Sequence, residues 1–277
     1  MSRALAAGNA FSTATKVLGK VMSPATAHYL LVVAILVRRD LKVKYRGSLL
    51  GYAWSMLNPL LFMLILTMVF SHLVRGIEHY HLYVLSSMLL WTMGNTAISM
   101  GTQSISSNAL ILRKIKMPVW VFPCVPLGSS FQNLILALFP YLVIHIGTGL
   151  SFKAELIAAP LVLFAFCIFV CGISLTLSSL NVFFRDVGHV MEPVMALLFY
   201  ATPVFYSRTQ PEFSERIQNL LALNPFTHFL EAWRACWLPA YSLNYSQLLI
   251  CIACSALSAT IGASVYKISK SKIIFKL

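Results

Sequence analysis

Apolar residues form long uncharged stretches along this chain. An α-helix needs about 20 mostly apolar residues to cross a bilayer. Five stretches of that length contain no acidic or basic residue: 47–74, 79–112, 117–152, 156–184 and 235–266. We place six spans, the fifth of which includes Glu192: 52–74, 82–103, 124–148, 156–181, 188–206 and 247–266. Because lipid offers no partners for backbone groups, the sequence predicts an all-α membrane protein with six transmembrane helices.

An amphipathic segment precedes the first span. The run from His28 to Val37 is apolar but too short to cross a membrane, and basic residues recur beside it every four positions, at Arg38, Lys42 and Arg46. This pattern is typical of a helix lying in the membrane interface, which we place at 28–46. Gly47 and Gly51 then allow the chain to turn into the membrane. A basic cluster that only fixes topology is the alternative.

The connection between the last two spans, 207–246, is unusually apolar and too long for a structureless loop. Two short helices within 212–238 fit it better. Asn224 is a good cap for the second of them, and Pro225 suits its first helical position. We expect both helices to re-enter the membrane from the outer side. Adsorption to the outer surface is the alternative.

Composition excludes a soluble domain and orients the chain. The sequence is 58% hydrophobic and 10% charged, whereas soluble domains are about a quarter charged. Of the 21 Lys and Arg residues, all but Arg75, Lys153, Arg208, Arg216 and Arg234 fall on the side of the termini. Both termini and the tail 1–27 are therefore predicted to be cytoplasmic. The net charge of +13 suits membrane lipids rather than nucleic acid.

Catalytic chemistry is not indicated. The sequence has no G-x-x-x-x-G-K-[ST] motif, so we expect no ATP site of that type, and no cofactor or metal on this chain. Aromatic residues instead follow the first and fifth spans: Tyr52, Trp54, Phe62, Phe199, Tyr200, Phe205 and Tyr206. They form either belts against lipid head groups or the lining of a path, where rings stack on the apolar faces of sugars.

Three segments resemble a known family. They are 39–60, which runs from Arg39-Asp40-Leu41 to Asn58-Pro59-Leu60; 113–118, Arg-Lys-Ile-Lys-Met-Pro; and 223–234, Leu-Asn-Pro-Phe-Thr-His-Phe-Leu-Glu-Ala-Trp-Arg. They resemble the permeases of type-2 ABC exporters of cell-surface polysaccharide, which include the O-antigen and teichoic acid exporters. The resemblance extends from about residue 28 to the end, 28–277.

This resemblance implies an assembly and a substrate. Two copies of the permease form a channel in the bacterial inner membrane, and each binds a separate ATPase subunit that holds ATP and Mg. The substrate is a lipid-linked polysaccharide, usually on undecaprenyl diphosphate. The aromatic residues above line the channel. The ATPase contacts Arg38, Arg39, Asp40, Lys42, Lys44, Tyr45, Arg46, Arg113 and Lys114, and an outer gate contains Asn224, Pro225, Phe229, Glu231, Trp233 and Arg234.

Three other functions remain open at the level of the sequence. An exporter of a small lipid or drug would share this architecture and this aromatic content. A membrane-bound transferase would need clustered acids or a metal site at one membrane face. An ion-coupled flippase would work without an ATPase partner.

Overall fold

A computed structural model describes residues 24–71, 77–114 and 117–276. These residues form ten α-helices and one 3-10 turn, with no strand among them, which confirms the all-α class. The helices are α1 Pro24–Lys44, α2 Ala53–Phe70, α3 Tyr80–Ser107, α4 Ala109–Lys114, α5 Val121–Gly147, α6 Ala159–Phe183, α7 Asp186–Tyr200, α8 Glu215–Leu223, α9 Pro225–Trp237 and α10 Tyr245–Lys276; the 3-10 turn Ala154–Ala158 precedes α6. The predicted tail up to residue 23 and the end of the first predicted span, 72–74, lie outside the described residues.

Four helical segments are long and apolar enough to cross a membrane among the described residues: α2, α5, α6 with its 3-10 turn, and α10. The count of six spans is therefore not confirmed. The predicted span 82–103 lies within α3, which is long but carries polar side chains over much of its length. The helix found at the predicted span 188–206, α7, ends earlier than the prediction. Helix α7 has only 15 residues and ends at Tyr200, about 22 Å at 1.5 Å per residue.

Helix α1 leads into α2 through a sharp turn. Gly47 and Gly51 adopt φ angles of 76° and 51°, a left-handed conformation that glycine accepts without steric cost. The turn predicted at these two glycines is confirmed. α1 packs along the first half of α5, where Val37 lies against Gly128. Its basic side chains remain on its exposed side.

Helices α6 and α10 run side by side in the same direction and pack through small residues. A Cβ added at Gly172 would lie 2.4 Å from the backbone of Ser258. The hydroxyls of Ser255 and Ser258 donate to the carbonyls of Ala165 and Phe169, each at 2.7 Å. Close backbone approach of this kind is how helices associate in lipid, where no hydrophobic driving force acts between them.

The core lies where α3, α6 and α9 meet. Phe166 and Phe169 of α6 contact Phe226 and Phe229 of α9, with ring centroids 5.0 to 6.2 Å apart. Trp91 of α3 joins this cluster, 5.5 Å from Phe226. Helix α9 is thus part of the packed interior rather than a surface loop.

Candidate functional site

A groove of about 690 Å³ runs between α2, α3 and α7. Three of the predicted channel residues, Phe62, Phe199 and Tyr200, line it together. The side chains of Phe62 and Tyr200 are 53% and 68% exposed, so their faces are available to a ligand. Pro59, the proline inside α2, also lies on the wall.

The opposite wall of this groove is polar. Asn95, Ser99 and Gln103 of α3 line it, and Glu192 of α7 faces the same space. The spacing of four residues places the three α3 side chains on one face of the helix, while Ala97, Ile98 and Ile105 are buried on the other side. Sequence reasoning missed this polar stripe because the spans were located by the absence of charge, and uncharged polar residues do not interrupt such a stretch.

Tyr52 and Trp54 lie apart from this groove. Trp54 lines a smaller cleft of about 110 Å³ with Tyr45, Ser55 and Asn133. The ring centroid of Tyr52 is 4.9 Å from that of Tyr45. The two clefts share Asn58 and Pro59. The aromatic residues at the start of α2 therefore belong with the α1–α2 turn rather than with the groove.

Phe205 and Tyr206 lie just beyond the end of α7. Phe205 is buried, and its ring centroid is 4.8 Å from that of Phe70 and 5.8 Å from that of Phe199. The hydroxyl of Tyr206 donates to the carbonyl of Tyr200 at 2.8 Å. Phe205 and Tyr206 therefore contact the groove residues Phe199 and Tyr200 but do not line the groove themselves.

Arg234 holds the predicted outer gate to the core. Its side chain is buried, with 2% exposure, and it donates to the hydroxyls of Tyr83 and Ser87 at 2.6 and 2.5 Å. It also donates to the carbonyls of Pro203 and Val204, and its guanidinium lies 3.8 Å from the centroid of the Tyr83 ring. One side chain thus joins α9 to α3 and to the segment that follows α7.

Asn224 makes a second connection between the gate and α7. Its carbonyl oxygen accepts from the backbone N–H of Phe226 at 3.1 Å, which caps α9. Its amide nitrogen donates to the carbonyl of Ala201 at 3.1 Å and to the hydroxyl of Thr202 at 2.8 Å. The residue that starts α9 therefore also satisfies the carboxyl end of α7.

The remaining gate residues stabilise the same corner. Phe229 and Trp233 are buried, and the indole of Trp233 donates to the carbonyl of Ser86 at 3.1 Å. Glu231 accepts from Arg208 at 2.9 Å and from Gln247 at 3.0 Å. Pro225 stands at the first position of α9 and lines a separate apolar hollow between α6, α7 and α10.

The predicted ATPase-binding residues form an exposed basic surface on α1. A shallow hollow on its exposed side is lined by Arg38, Arg39, Lys42 and Arg46. Lys44 is exposed next to them in the sequence, and Arg113 and Lys114 at the end of α4 are exposed as well. Only Arg39 of these seven has an ion pair among the described residues, with Asp40 at 2.9 Å. The other six cations therefore remain available to an acidic partner.

Tyr45 ties the end of α1 to α5. Its hydroxyl donates to the side-chain oxygen of Asn133 at 3.2 Å. Burial raises the pKa of Tyr45 above its usual value, so the hydroxyl keeps its proton and remains a donor at physiological pH. A displacement of α1 would therefore act directly on α5.

Comparisons with known proteins point to one family. A family model described as ABC-2 type transporter matches residues 32–238. The O-antigen export system permease protein RfbA of Myxococcus xanthus is 30% identical over 201 residues, which is 72% of this chain and 77% of the relative. Two proteins of the same name from Klebsiella pneumoniae are 27% and 28% identical over 240 residues, 85% of this chain and 90% of each relative.

Proposed function

The chain belongs to the ABC-2 type transporter family, and on this premise we propose that it is the membrane subunit of an ATP-driven polysaccharide exporter. Two copies, each bound to an ATPase subunit, move an O-antigen-like polysaccharide on undecaprenyl diphosphate across the bacterial inner membrane. The names of its relatives, which are O-antigen export permeases, support this substrate class. The excess of basic residues on the terminal side supports a cytoplasmic location for both termini.

The groove between α2, α3 and α7 carries this proposal. Sugars present apolar ring faces and hydroxyl edges. Aromatic rings stack on the faces, and amide and hydroxyl groups exchange hydrogen bonds with the edges. Phe62 and Tyr200 supply the rings, and Asn95, Ser99 and Gln103 supply the polar groups. A polymer can slide along such a surface because each contact is weak and resembles the next.

A second copy closes the groove in this proposal. α2 has one buried residue, Pro59, while Phe62, Ile65 and Met68 are more than half exposed. ATP binding closes the two ATPase subunits and pushes on the basic surface of α1. The hydrogen bond of Tyr45 passes the movement to α5, and the path between the copies opens.

Deletion of the gene with plasmid complementation tests the proposed function. We expect the deletion to remove the polysaccharide from the cell surface and to leave lipid-linked polysaccharide inside the cell. Immunoblotting of intact and lysed cells distinguishes the two pools. Undiminished surface polysaccharide in the deletion strain would refute the proposal. Normal polysaccharide with a lost small lipid or a new drug sensitivity would favour the alternative, a small-molecule exporter of the same family.

A further inference from the structure

A second hollow, of about 380 Å³, opens where α3 and α10 end and α7 begins. Its polar lining comes from Gln103, Ser106, Asn181, Arg185, His189 and Lys276. Three of these side chains are basic or can become so. The acids of α7, Asp186 and Glu192, do not line it.

The cationic groups of this hollow are available to a ligand. Within the described residues, neither Arg185 nor His189 has a side-chain hydrogen bond or an ion pair. The ammonium of Lys276 donates to the carbonyl of Phe183 at 3.1 Å, which leaves two of its three donors. Positive charge without a counter-charge at this point favours an anion.

The polar floor of the hollow is already ordered. The side-chain oxygen of Asn181 accepts from the backbone N–H of Gly188 at 2.9 Å, and its amide donates to Ser106 at 3.4 Å. These contacts fix the turn between α6 and α7, on which Arg185 lies. The guanidinium therefore projects from a held segment, which lowers the entropy cost of binding.

The hollow adjoins the transport groove. Gln103 and Gly188 line both spaces. A ligand whose anionic group binds at Arg185 can therefore extend into the groove toward Asn95 and Phe62. The volume of the hollow equals roughly a dozen water molecules at about 30 Å³ each, which accommodates a hydrated phosphate or diphosphate.

We propose that this hollow binds the phosphate or diphosphate group of the lipid-linked substrate at the start of transport. The inference rests on the proposed function and adds a position for the charged group of the substrate. Arg185 makes paired hydrogen bonds to phosphate oxygens, and Lys276 adds a second charge. The sugar chain then enters the groove from the side of Gln103.

Binding of farnesyl diphosphate, a short soluble analogue, tests the inference. The permease with its ATPase partner is placed in phosphatidylcholine nanodiscs, and equilibrium binding of the radiolabelled diphosphate is measured. We expect Arg185→Gln and Lys276→Gln each to weaken binding about tenfold, because each removes a charge-assisted contact. Arg185→Lys, which keeps the charge, is expected to weaken it only about threefold.

Lys267→Gln is the matched control. Lys267 is exposed on the same helix, and its position nine residues before Lys276 places it on the opposite face. We expect binding within about twofold of the parent protein. Equal affinity in Arg185→Gln, Lys276→Gln and the parent would overturn the inference, and so would an equal loss in the control.

Competitors distinguish the sources of the phosphate. Farnesol is expected not to compete, and inorganic pyrophosphate and phosphatidylglycerol are expected to compete weakly. Competition by phosphatidylglycerol as strong as that by farnesyl diphosphate would show a site for bilayer lipids. Pyrophosphate binding as tight as farnesyl diphosphate would show a site for a soluble anion. Either result contradicts a site for the substrate.

Export in cells separates the inference from the proposed function. If the gene deletion leaves surface polysaccharide unchanged, the proposed function fails whatever the hollow binds. If the deletion removes surface polysaccharide but Arg185→Gln with Lys276→Gln exports at the parent rate and binds diphosphate normally, only the inference fails. We expect this double variant to reduce export at least tenfold while the ATPase still co-purifies.

Discussion

At the scale of single residues, Arg234 makes more side-chain hydrogen bonds than any other described residue. Its guanidinium satisfies two hydroxyls and two backbone carbonyls inside the protein. No carboxylate pairs with it among the described residues, so its charge is stabilised by dipoles and by the Tyr83 ring. A buried cation held in this way cannot be replaced by an apolar side chain without leaving several polar groups unpaired.

Arg234→Met is therefore expected to destabilise the protein by about 3 kcal/mol or more, because each unpaired buried group costs about 1–3 kcal/mol. Arg234→Lys keeps the charge but loses the forked geometry, and we expect an intermediate loss. Thermal unfolding of the purified protein in detergent measures both. Arg216→Met is the control, since Arg216 is exposed on α8. An unfolding temperature unchanged in Arg234→Met would contradict the proposed role.

Asn224 combines two roles that substitution can separate. Asn224→Asp keeps an acceptor for the N–H of Phe226, but it loses the donor to Ala201 and Thr202. We expect Asn224→Ala to cost about 1–2 kcal/mol from the cap alone. For Asn224→Asp, α9 should remain helical while the end of α7 loosens. Hydrogen exchange of 197–204 and of 225–230 measures the two effects. Equal protection of 197–204 in Asn224→Asp and the parent would argue against the connection.

At the scale of helices, α1 provides a basic surface that the rest of the fold does not use. Four predicted coupling cations on or just after α1, and the two on α4, lack an ion pair among the described residues. Charge reversal at Arg39, Lys42 and Arg46 replaces attraction with repulsion toward an acidic partner. We expect the triple variant to reduce the co-purified ATPase at least tenfold. Quantitative immunoblotting of the two subunits after affinity purification measures the ratio.

Lys270→Glu is the matched control for this experiment. Lys270 is exposed on α10, near the same end of the bundle as Arg185, and its reversal should leave the subunit ratio within about twofold. A fully assembled complex in the triple variant would show that the basic surface of α1 only fixes topology. Loss of the ATPase in the control as well would point to a general charge effect.

Local sequence signals correctly predicted the start of α9 and the turn before α2. Asn224 followed by Pro225 predicts a helix start, and α9 begins at Pro225. Gly47 and Gly51 predict a turn, and both have left-handed φ angles. Such features depend on a few neighbouring residues, so they can be recognised without knowledge of the fold.

Helices that line a path were harder to predict. α7 ends before the predicted span 188–206 does because the chain turns at Ala201, where Asn224 and Tyr206 donate hydrogen bonds to the carbonyls of Ala201 and Tyr200. That arrangement depends on residues distant in sequence. Pro203 is the one helix-breaking residue within 201–206, and the absence of charge from that segment hid the turn.

At the scale of the whole molecule, rotation of each helix decides which residues meet. The sequence grouped Tyr52, Trp54 and Phe62 as one aromatic set along α2. The structure places only Phe62 in the groove with Phe199 and Tyr200. The direction in which α2 faces is set by its packing on α3 and α5. Periodicity within α2 alone does not determine it, because nearly all its residues are apolar.

Substitutions in the groove can distinguish a path for glycans from a belt of aromatic residues that faces lipid. Asn95→Leu with Gln103→Leu keeps side-chain size but removes the hydrogen-bonding groups on one wall of the groove, and Phe62→Ala removes a stacking surface on the other. If sugars slide along both walls, either change weakens contacts along the path. We expect each to reduce surface polysaccharide about tenfold or more, which corresponds to about 1.4 kcal/mol, with unchanged ATPase co-purification. Immunoblotting of surface polysaccharide at matched expression measures the loss.

Met100→Gln is the control on α3, because Met100 is exposed but does not line the groove. Its export should equal that of the parent. Tyr52→Ala should reduce export less than Phe62→Ala, since Tyr52 stands beside Tyr45 outside the groove. Normal export in both groove variants would leave the rings as a belt against lipid. A larger loss in Tyr52→Ala than in Phe62→Ala would move the path to the cleft beside α1, because Tyr45, Trp54 and Asn133 offer a comparable set of rings and amides there.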